Sequence, residues 1–279
     1  MPSSGVSTLN RTIPNNIVHC GVIGNPIAHS QSPDIHLSFA KQFDLDLDYQ
    51  KYLVSPEELK SFIADFFGRG GRGLNVTLPF KQEVMGLAKN VSRESLLCRS
   101  VNTLYLNDNK DICGDTTDGK GLLIDLELNS FEVKNKNILI IGAGGATTSI
   151  LYSLLNAGAK ITLHNRTQRK IEKIKNDFSK LESNIQLYSE KEKTIFDGII
   201  TATSEFNKTL LNPVLKNINV NTFVYDLNYK QRAEQTLKFF KDNGIKNYSD
   251  GYGMLIAQAA KSFEIWHGKM PTLTGIKNY

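Results

Sequence analysis

From Asn137 to Ala146 the chain reads Asn-Ile-Leu-Ile-Ile-Gly-Ala-Gly-Gly-Ala, and few architectures can hold such a stretch. The run Ile138–Ile141 has no polar alternation. It predicts a strand that is apolar on both faces, as in a parallel sheet covered by helices on each side. Gly142, Gly144 and Gly145 follow at once. Behind them Ile150, Leu151, Leu154 and Leu155 recur at helical spacing, and Gly158 stops the helix. Backbone without Cβ atoms turns tightly and lets an anion come close, while the first amides and the dipole of the following helix face it. A strand, a glycine turn and a helix in that order make the pyrophosphate-binding element of dinucleotide-binding folds. The pattern here is Gly142-x-Gly144-Gly145, with Thr147 where the third glycine of the full pattern would stand. An ordinary strand-to-helix turn is the alternative reading of the same residues.

Strand and helix signals alternate along the rest of the chain, which predicts an α/β fold with mainly parallel sheets. Strands are expected at Val18–Ile23, Asp48–Val54, Gly73–Thr77, Lys160–His164, Ile185–Tyr188, Gly198–Thr201, Thr222–Asp226 and Ile245–Tyr248. Val101–Leu106 and Lys110–Cys113, joined through Asn107-Asp108-Asn109, read as a hairpin. Ser32-Pro33 predicts a helix start, with Ser32 at the N-cap and Ile35, Phe39 and Phe43 as the apolar stripe. Further helices are expected from Pro56, over Asp118–Leu128 and over Met254–Trp266. With 279 residues the chain has room for two domains, and a boundary is expected near Thr117. The expected division is 1–117 plus 251–279 against 118–250.

The polar stretch Met1–Asn16 reads as a disordered extension without the apolar centre of a secretion signal. No apolar run approaches the ~18 residues of a membrane span. Cys20, Cys98 and Cys113 are too few and too scattered for a disulfide framework or a zinc site. They read as small core residues in a reducing, cytoplasmic compartment, and no metal site is expected. A net charge of +5, with lysines spread along the chain, argues against nucleic acid as a partner. A local basic pocket for a phosphate explains part of that excess.

The strand after the glycine turn separates the two nicotinamide cofactors. An acidic residue at its end would hold a ribose 2′-hydroxyl. Here the chain reads His164-Asn165-Arg166-Thr167, with Arg169 and Lys170 close behind and no carboxylate. Arg166 and Lys170 suit a 2′-phosphate, and the planar arginine fork matches phosphate oxygens. A solvated basic helix start is the alternative, but the helix dipole disfavours cations at that end. NADP is therefore expected over NAD.

Other segments resemble one enzyme family. Gly24-Asn25-Pro26-Ile27-Ala28-His29-Ser30-Gln31-Ser32-Pro33 is similar to the amino-terminal signature of the shikimate dehydrogenases. Asn75-Val76-Thr77-Leu78-Pro79-Phe80-Lys81 resembles their lysine motif, and Val101-Asn102-Thr103 and Gly114-Asp115-Thr116-Thr117-Asp118-Gly119 resemble two more. Asn165-Arg166-Thr167 is similar to the cofactor-phosphate motif, and Asp250-Gly251-Tyr252-Gly253-Met254-Leu255-Ile256-Ala257-Gln258-Ala259 to the carboxy-terminal one. The order is that of the family, and coverage runs from about Cys20 to Pro271.

The resemblance implies an amino-terminal substrate domain completed by the last helix and a Rossmann-like NADP domain. It implies reduction of 3-dehydroshikimate to shikimate with NADPH. Lys81 and Asp118 would be the catalytic pair, with Asp118 also holding substrate. Ser30, Ser32, Asn75, Thr77, Asn102, Tyr229 and Gln258 would bind the acid and its ring hydroxyls. Gly142, Ala143, Gly144, Gly145, Ala146, Asn165, Arg166, Thr167, Lys170, Leu227, Gly251 and Met254 would line the cofactor. Taken singly, Lys81 also reads as a surface lysine and Ser32 as a simple cap. His29 reads as a structural, hydrogen-bonded imidazole. A ketone gaining hydride becomes an oxyanion, which a nearby ammonium stabilises and protonates. Departures from the family pattern stand at Leu37, Arg93, Thr116, Thr148, Thr201 and Lys230. A quinate/shikimate dehydrogenase using both cofactors and a non-catalytic NADP-binding regulator are the rival expectations. The chain is expected to be a monomer or homodimer.

Overall fold

The computed structural model describes residues 17–181, 185–191 and 193–273; the amino-terminal extension read from the sequence lies outside them. The chain divides into two compact units. Residues up to Thr117, with those from Ile256 onward, form the first, and Asp118–Leu255 form the second.

The first unit runs β1 (Val18–Gly24), α1 (Ser32–Lys41), β2 (Leu47–Leu53), α2 (Leu59–Gly68), β3 (Gly73–Val76), β4 (Asn90–Val91), α3 (Arg93–Cys98), β5 (Thr103–Leu106) and β6 (Ile112–Asp115). Its six-stranded sheet has the order β2-β1-β3-β5-β6-β4. β1 lies parallel to β2 and β3, while β5 runs antiparallel to both β3 and β6. The expected hairpin is therefore present, and it gives this sheet its mixed character. Asn107 sets the turn, its side-chain oxygen accepting the amides of Asn109 and Asp111 at 3.0 and 2.9 Å. Ile23, Leu74, Val76 and Leu104 from the strands pack with Phe66 of α2 and Phe80 to form the core.

The second unit runs α4 (Asp118–Leu128), β7 (Asn137–Ile141), α5 (Gly145–Asn156), β8 (Lys160–His164), α6 (Gln168–Asp177), β9 (Gln186–Leu187), β10 (Gly198–Thr201), α7 (Lys208–Leu211), β11 (Phe223–Asp226), α8 (Glu234–Asp242) and β12 (Asn247–Asp250). All pairings in its sheet are parallel, in the order β12-β11-β10-β7-β8-β9. Counted from β7, that is the doubly wound order, which reverses direction between β7 and β10. Ligands in such sheets bind beyond the carboxyl ends of the strands at that reversal. Ile138–Ile141 are wholly buried, as the unbroken apolar run required. The last helix, α9 (Tyr252–His267), begins in the second unit and continues into the first. There Trp266 donates its indole N–H to the Leu104 carbonyl at 3.1 Å, and Gly73 leaves room for the ring.

Several expectations change. β4, α3, α7 and α8 were not expected, and of α6 the sequence suggested only a basic helix start near Arg166; α6 buries Ile171 and Ile174 on an otherwise polar helix. β12 lies two residues later than the apolar residues of Ile245–Tyr248 suggested. Ser32 is not the N-cap of α1. Gln31 holds that position without a side-chain bond, and Ser32 is already helical. No helix among the described residues is long and apolar enough to cross a membrane.

Candidate active site

In the second unit the glycine turn sits at the sheet reversal. Gly142 ends β7 at φ +121°, a conformation side chains disfavour, and a Cβ there would lie 2.8 Å from the Ala202 carbonyl oxygen. Its amide donates to the His164 carbonyl at 2.8 Å, and the Ala202 amide donates to the Ile141 carbonyl at 2.7 Å. The ends of β7, β8 and β10 are thereby locked together. Gly144 and Gly145 face the other way: a Cβ on either would meet no protein atom within 4 Å. The backbone of the first turn of α5 is open to a ligand there, with its amides unscreened, as a pyrophosphate requires. Ala143 is half-buried and Ala146 exposed on the same turn.

Asn165 turns its side-chain amide onto the Thr167 carbonyl at 3.1 Å, shaping the entry to α6. Thr167 is the N-cap of α6 and makes no side-chain capping bond. Arg166, Arg169 and Lys170 are exposed around that helix start and form no ion pair among the described residues. Three cations at the positive end of a helix, without carboxylate partners, fit a phosphate group better than solvent. The donor set thus suits NADP.

The loops after β10, β11 and β12 are tied by one residue, Asn228, through its side-chain amide and its backbone carbonyl. Asn228 donates its side-chain amide to the Thr203 carbonyl at 2.8 Å and to Asp226 at 3.0 Å, and its carbonyl accepts the Gly251 amide at 2.9 Å. Leu227 is held by its amide on the Thr201 carbonyl at 2.9 Å, and Gly251 passes so close that a Cβ would lie 2.4 Å from the Leu227 carbonyl oxygen. Asp250 accepts the amides of Lys230 and Tyr252 at 2.9 and 3.0 Å, fixing the start of α9 and of Met254. Tyr229 stands between these ties, its ring 6.0 Å from that of Tyr252. Burial pushes its phenol up, so it stays a hydrogen-bond donor.

In the first unit a buried polar network forms behind the loop that carries Lys81. Asn75 donates to Ser262 and to the Asn102 carbonyl at 2.9 and 3.2 Å, and accepts the Tyr49 hydroxyl at 2.7 Å. Asn102 donates to Thr117 and Gln258 at 2.9 and 3.1 Å, while its oxygen accepts the Thr117 amide and the Thr103 hydroxyl at 2.9 and 2.8 Å. The amide of Thr77 donates to the Ile23 carbonyl at 3.0 Å. The Lys81 carbonyl accepts the Val101 amide at 2.8 Å, so the half-buried lysine is rooted beside Asn102. Asp118 follows Thr117 in the chain and is buried in the first turn of α4, where the dipole favours a carboxylate. At the start of α1, Ser30 donates its hydroxyl to that of Ser32 at 3.2 Å and accepts the Ser32 amide at 3.3 Å. Two hydroxyls beside a helix amino terminus make a small anion site. His29 is exposed and has no hydrogen bond among the described residues, so it is not the structural imidazole expected from the sequence.

Family models match nearly all of this framework. The shikimate dehydrogenase substrate binding domain matches residues 22–104, shikimate / quinate 5-dehydrogenase matches 125–235, and the shikimate 5'-dehydrogenase C-terminal domain matches 251–275. The NADP(+) shikimate dehydrogenase of Buchnera aphidicola is 40% identical over 255 residues, covering 90% of this chain and 93% of its own. That of Colwellia psychrerythraea is 38% identical over 252 residues, covering 90% and 91%. The chain belongs to the shikimate dehydrogenase family. The shikimate 5-dehydrogenase of Listeria monocytogenes, solved with shikimate and NAD, superposes with a TM-score of 0.86 at 28% identity, covering 96% of this chain and 98% of its own.

Several departures from the shikimate dehydrogenase pattern have local explanations. Thr147, at the place of the third glycine of the full glycine pattern, donates its buried hydroxyl to the Gly142 carbonyl at 3.0 Å, bracing the turn from behind. Thr148 donates to the Gly145 carbonyl at 2.9 Å. Thr201 is buried at the end of β10 and donates to the Tyr225 carbonyl at 3.4 Å. Lys230 adopts φ +53° and places its ammonium 4.7 Å from the centre of the Tyr252 ring. The buried hydroxyl of Thr116 has no partner among the described residues, and nothing in the structure explains it. Thr117, Asn228, Asp250 and Ser262 organise the site without having been singled out as functional. Of these, Thr117 and Asp250 stand within the family-like motifs, and Asp250 is also an acidic residue just ahead of a predicted helix, whereas Asn228 and Ser262 carried no sequence signal.

Proposed function

We propose that this chain catalyses the reversible, NADPH-dependent reduction of 3-dehydroshikimate to shikimate, a step toward chorismate and the aromatic amino acids. The observation that carries this reading is the match, over 90% of the chain, to enzymes named for NADP(+)-dependent shikimate dehydrogenation. The first unit serves as substrate domain and the second as cofactor domain. Bound NADPH supplies a hydride. Ser30 and Ser32 hold the substrate carboxylate, and Asn75, Thr77, Asn102, Tyr229 and Gln258 meet the ring hydroxyls. Lys81 stabilises the oxyanion and gives it a proton, and Asp118 orients the lysine and a substrate hydroxyl. Gly142 to Ala146 cradle the pyrophosphate; Asn165, Arg166, Thr167 and Lys170 take the 2′-phosphate; Leu227, Gly251 and Met254 line the nicotinamide side. The enzyme works in the cytoplasm as a monomer or homodimer.

Asn102 is internally saturated, which makes it a positioning group as much as a binding one. To hold a substrate hydroxyl it must release one of its present partners. The test is oxidation of shikimate with NADP⁺, followed at the nicotinamide absorbance. NAD⁺ and quinate serve as controls. Expected is a kcat/KM for shikimate with NADP⁺ at least about tenfold above any other pair, equivalent to ~1.4 kcal/mol of transition-state discrimination. Equal rates with quinate would favour the broader quinate/shikimate activity.

A further inference from the structure

Asp125 is fully buried on α4, seven residues beyond Asp118 and therefore on the same helix face. It is not one of the residues assigned to substrate, cofactor or proton transfer. Tyr225 of β11, also fully buried, donates its hydroxyl to Asp125 Oδ2 at 2.6 Å. Asn129 donates its side-chain amide to the other oxygen at 3.3 Å. The first turn of α9 presses onto the same group: a Cβ on Gly253 would lie 1.9 Å from Asp125 Oδ1. Met254 is the next residue of that turn after Gly253.

A buried carboxylate costs several kcal/mol unless hydrogen bonds and opposite charge offset it. Here the offsets are a phenol, an amide and the positive end of a sixteen-residue helix. Burial, then the charge of Asp125, pushes the Tyr225 phenol far above its ordinary range, so it remains a donor at every working pH. The absence of any room for a side chain at 253 shows that the helix and the carboxylate fit tightly. The three elements joined in this way begin with Asp118, lead into Leu227, and carry Met254.

We propose that Asp125 and Tyr225 are positioning residues, which together fix the first turn of α9, and through it Met254, relative to the helix that begins with Asp118. The inference rests on the reading that Met254 lines the nicotinamide. Hydride transfer is steep in distance, so a shift of Met254 acts on the chemical step more than on substrate affinity.

The experiment measures 3-dehydroshikimate reduction with NADPH and with NADPH deuterated at the transferred position, in Tyr225→Phe, Asp125→Asn, Asp125→Ala and Met254→Ala. Thermal melts of each variant accompany the kinetics. In Tyr225→Phe, kcat is expected to fall about tenfold with the 3-dehydroshikimate KM within about twofold, and the isotope effect on kcat to rise as chemistry becomes limiting. Asp125→Asn keeps an oxygen for the phenol and is expected to lie between the wild type and Asp125→Ala, and it serves if Tyr225→Phe fails to fold. A lowered melting temperature with unchanged turnover and isotope effect in both Tyr225→Phe and Asp125→Asn would make the pair purely structural and overturn the proposal. A Met254→Ala enzyme with unchanged NADPH KM and isotope effect would remove Met254 from the cofactor, and the proposal with it. An altered Met254→Ala beside unaltered position 125 and 225 variants would overturn the positioning role alone.

Discussion

The ammonium of Lys81 sits at the end of a long, flexible side chain, yet its backbone is tied to Val101, next to the most heavily bonded asparagine of the first unit. That arrangement gives the lysine a fixed root, which suits the proposed role of an ammonium that meets a carbonyl oxygen as it becomes an alkoxide. Lys81→Ala is expected to lower kcat by roughly two to four orders of magnitude, as loss of a general acid does. KM should change far less, because the charge Lys81 meets develops only in the transition state. Steady-state kinetics showing near-normal turnover would remove Lys81 from the mechanism. The surroundings of Lys81 were only half legible in the sequence. Asn75 and Asn102 stand in motifs that point to substrate, but their engagement with Ser262 and Gln258 links residues more than 150 positions apart and leaves no local pattern.

Among the elements, the β7–turn–α5 unit shows why one glycine differs from its neighbours. Gly142 combines a left-handed backbone with a neighbouring carbonyl that any Cβ would strike, whereas Gly144 and Gly145 have open space beside them. Gly142→Ala is therefore expected to cost about 2 kcal/mol or more from strain alone. Gly145→Ala should leave the melting temperature nearly unchanged while weakening NADP⁺. Thermal melts of the two variants, with NADP⁺ titrations, separate the cases; equal destabilisation would show that the turn, not the β7–β10 contact, sets the requirement. This turn was readable beforehand because a buried strand, glycines and an amphipathic helix are all short-range signals. α6 and α8 were not, because each buries only a few residues, Ile171 and Ile174 in one and Thr236 and Phe240 in the other, on helices that are otherwise mostly polar.

For the molecule as a whole, an acid sensitivity lies where the carboxy-terminal part of α9 packs within the first unit. The ring of His36 is fully buried, stacked 4.4 Å from Tyr49 and 5.1 Å from Trp266, and neither ring nitrogen has a partner among the described residues. Burial pushes His36 down to about 3 and His267 down to about 4. Both are thus neutral when folded but take up protons near 6.5 when unfolded. Because the unfolded chain binds more protons, stability is full above about pH 6.5 and is lost as pH falls toward the folded values. Each group contributes a slope of at most ~1.4 kcal/mol per pH unit across that window. Urea unfolding at pH 7 and pH 5 should show the loss, and His36→Phe, which keeps the stack without the titration, should show less of it. An equal loss in that variant would assign the acid sensitivity to other groups.

The residue order alone determined the α/β class, the strand–glycine–helix element, the preference for a phosphorylated cofactor and the family, because each is written in short contiguous stretches whose chemistry does not depend on distant partners. It left open what Ser32, Asn102 and His29 do, since a serine at a helix start or a histidine in a loop has the same local signature in several roles. Only the tertiary structure decided their surroundings, with Ser32 inside α1, Asn102 saturated and His29 exposed, along with the reversal between β7 and β10 and the burial of Asp125 beneath Gly253. Strand order, hydrogen-bond satisfaction and desolvation depend on which remote residues arrive at the same place, and a linear pattern does not contain that information.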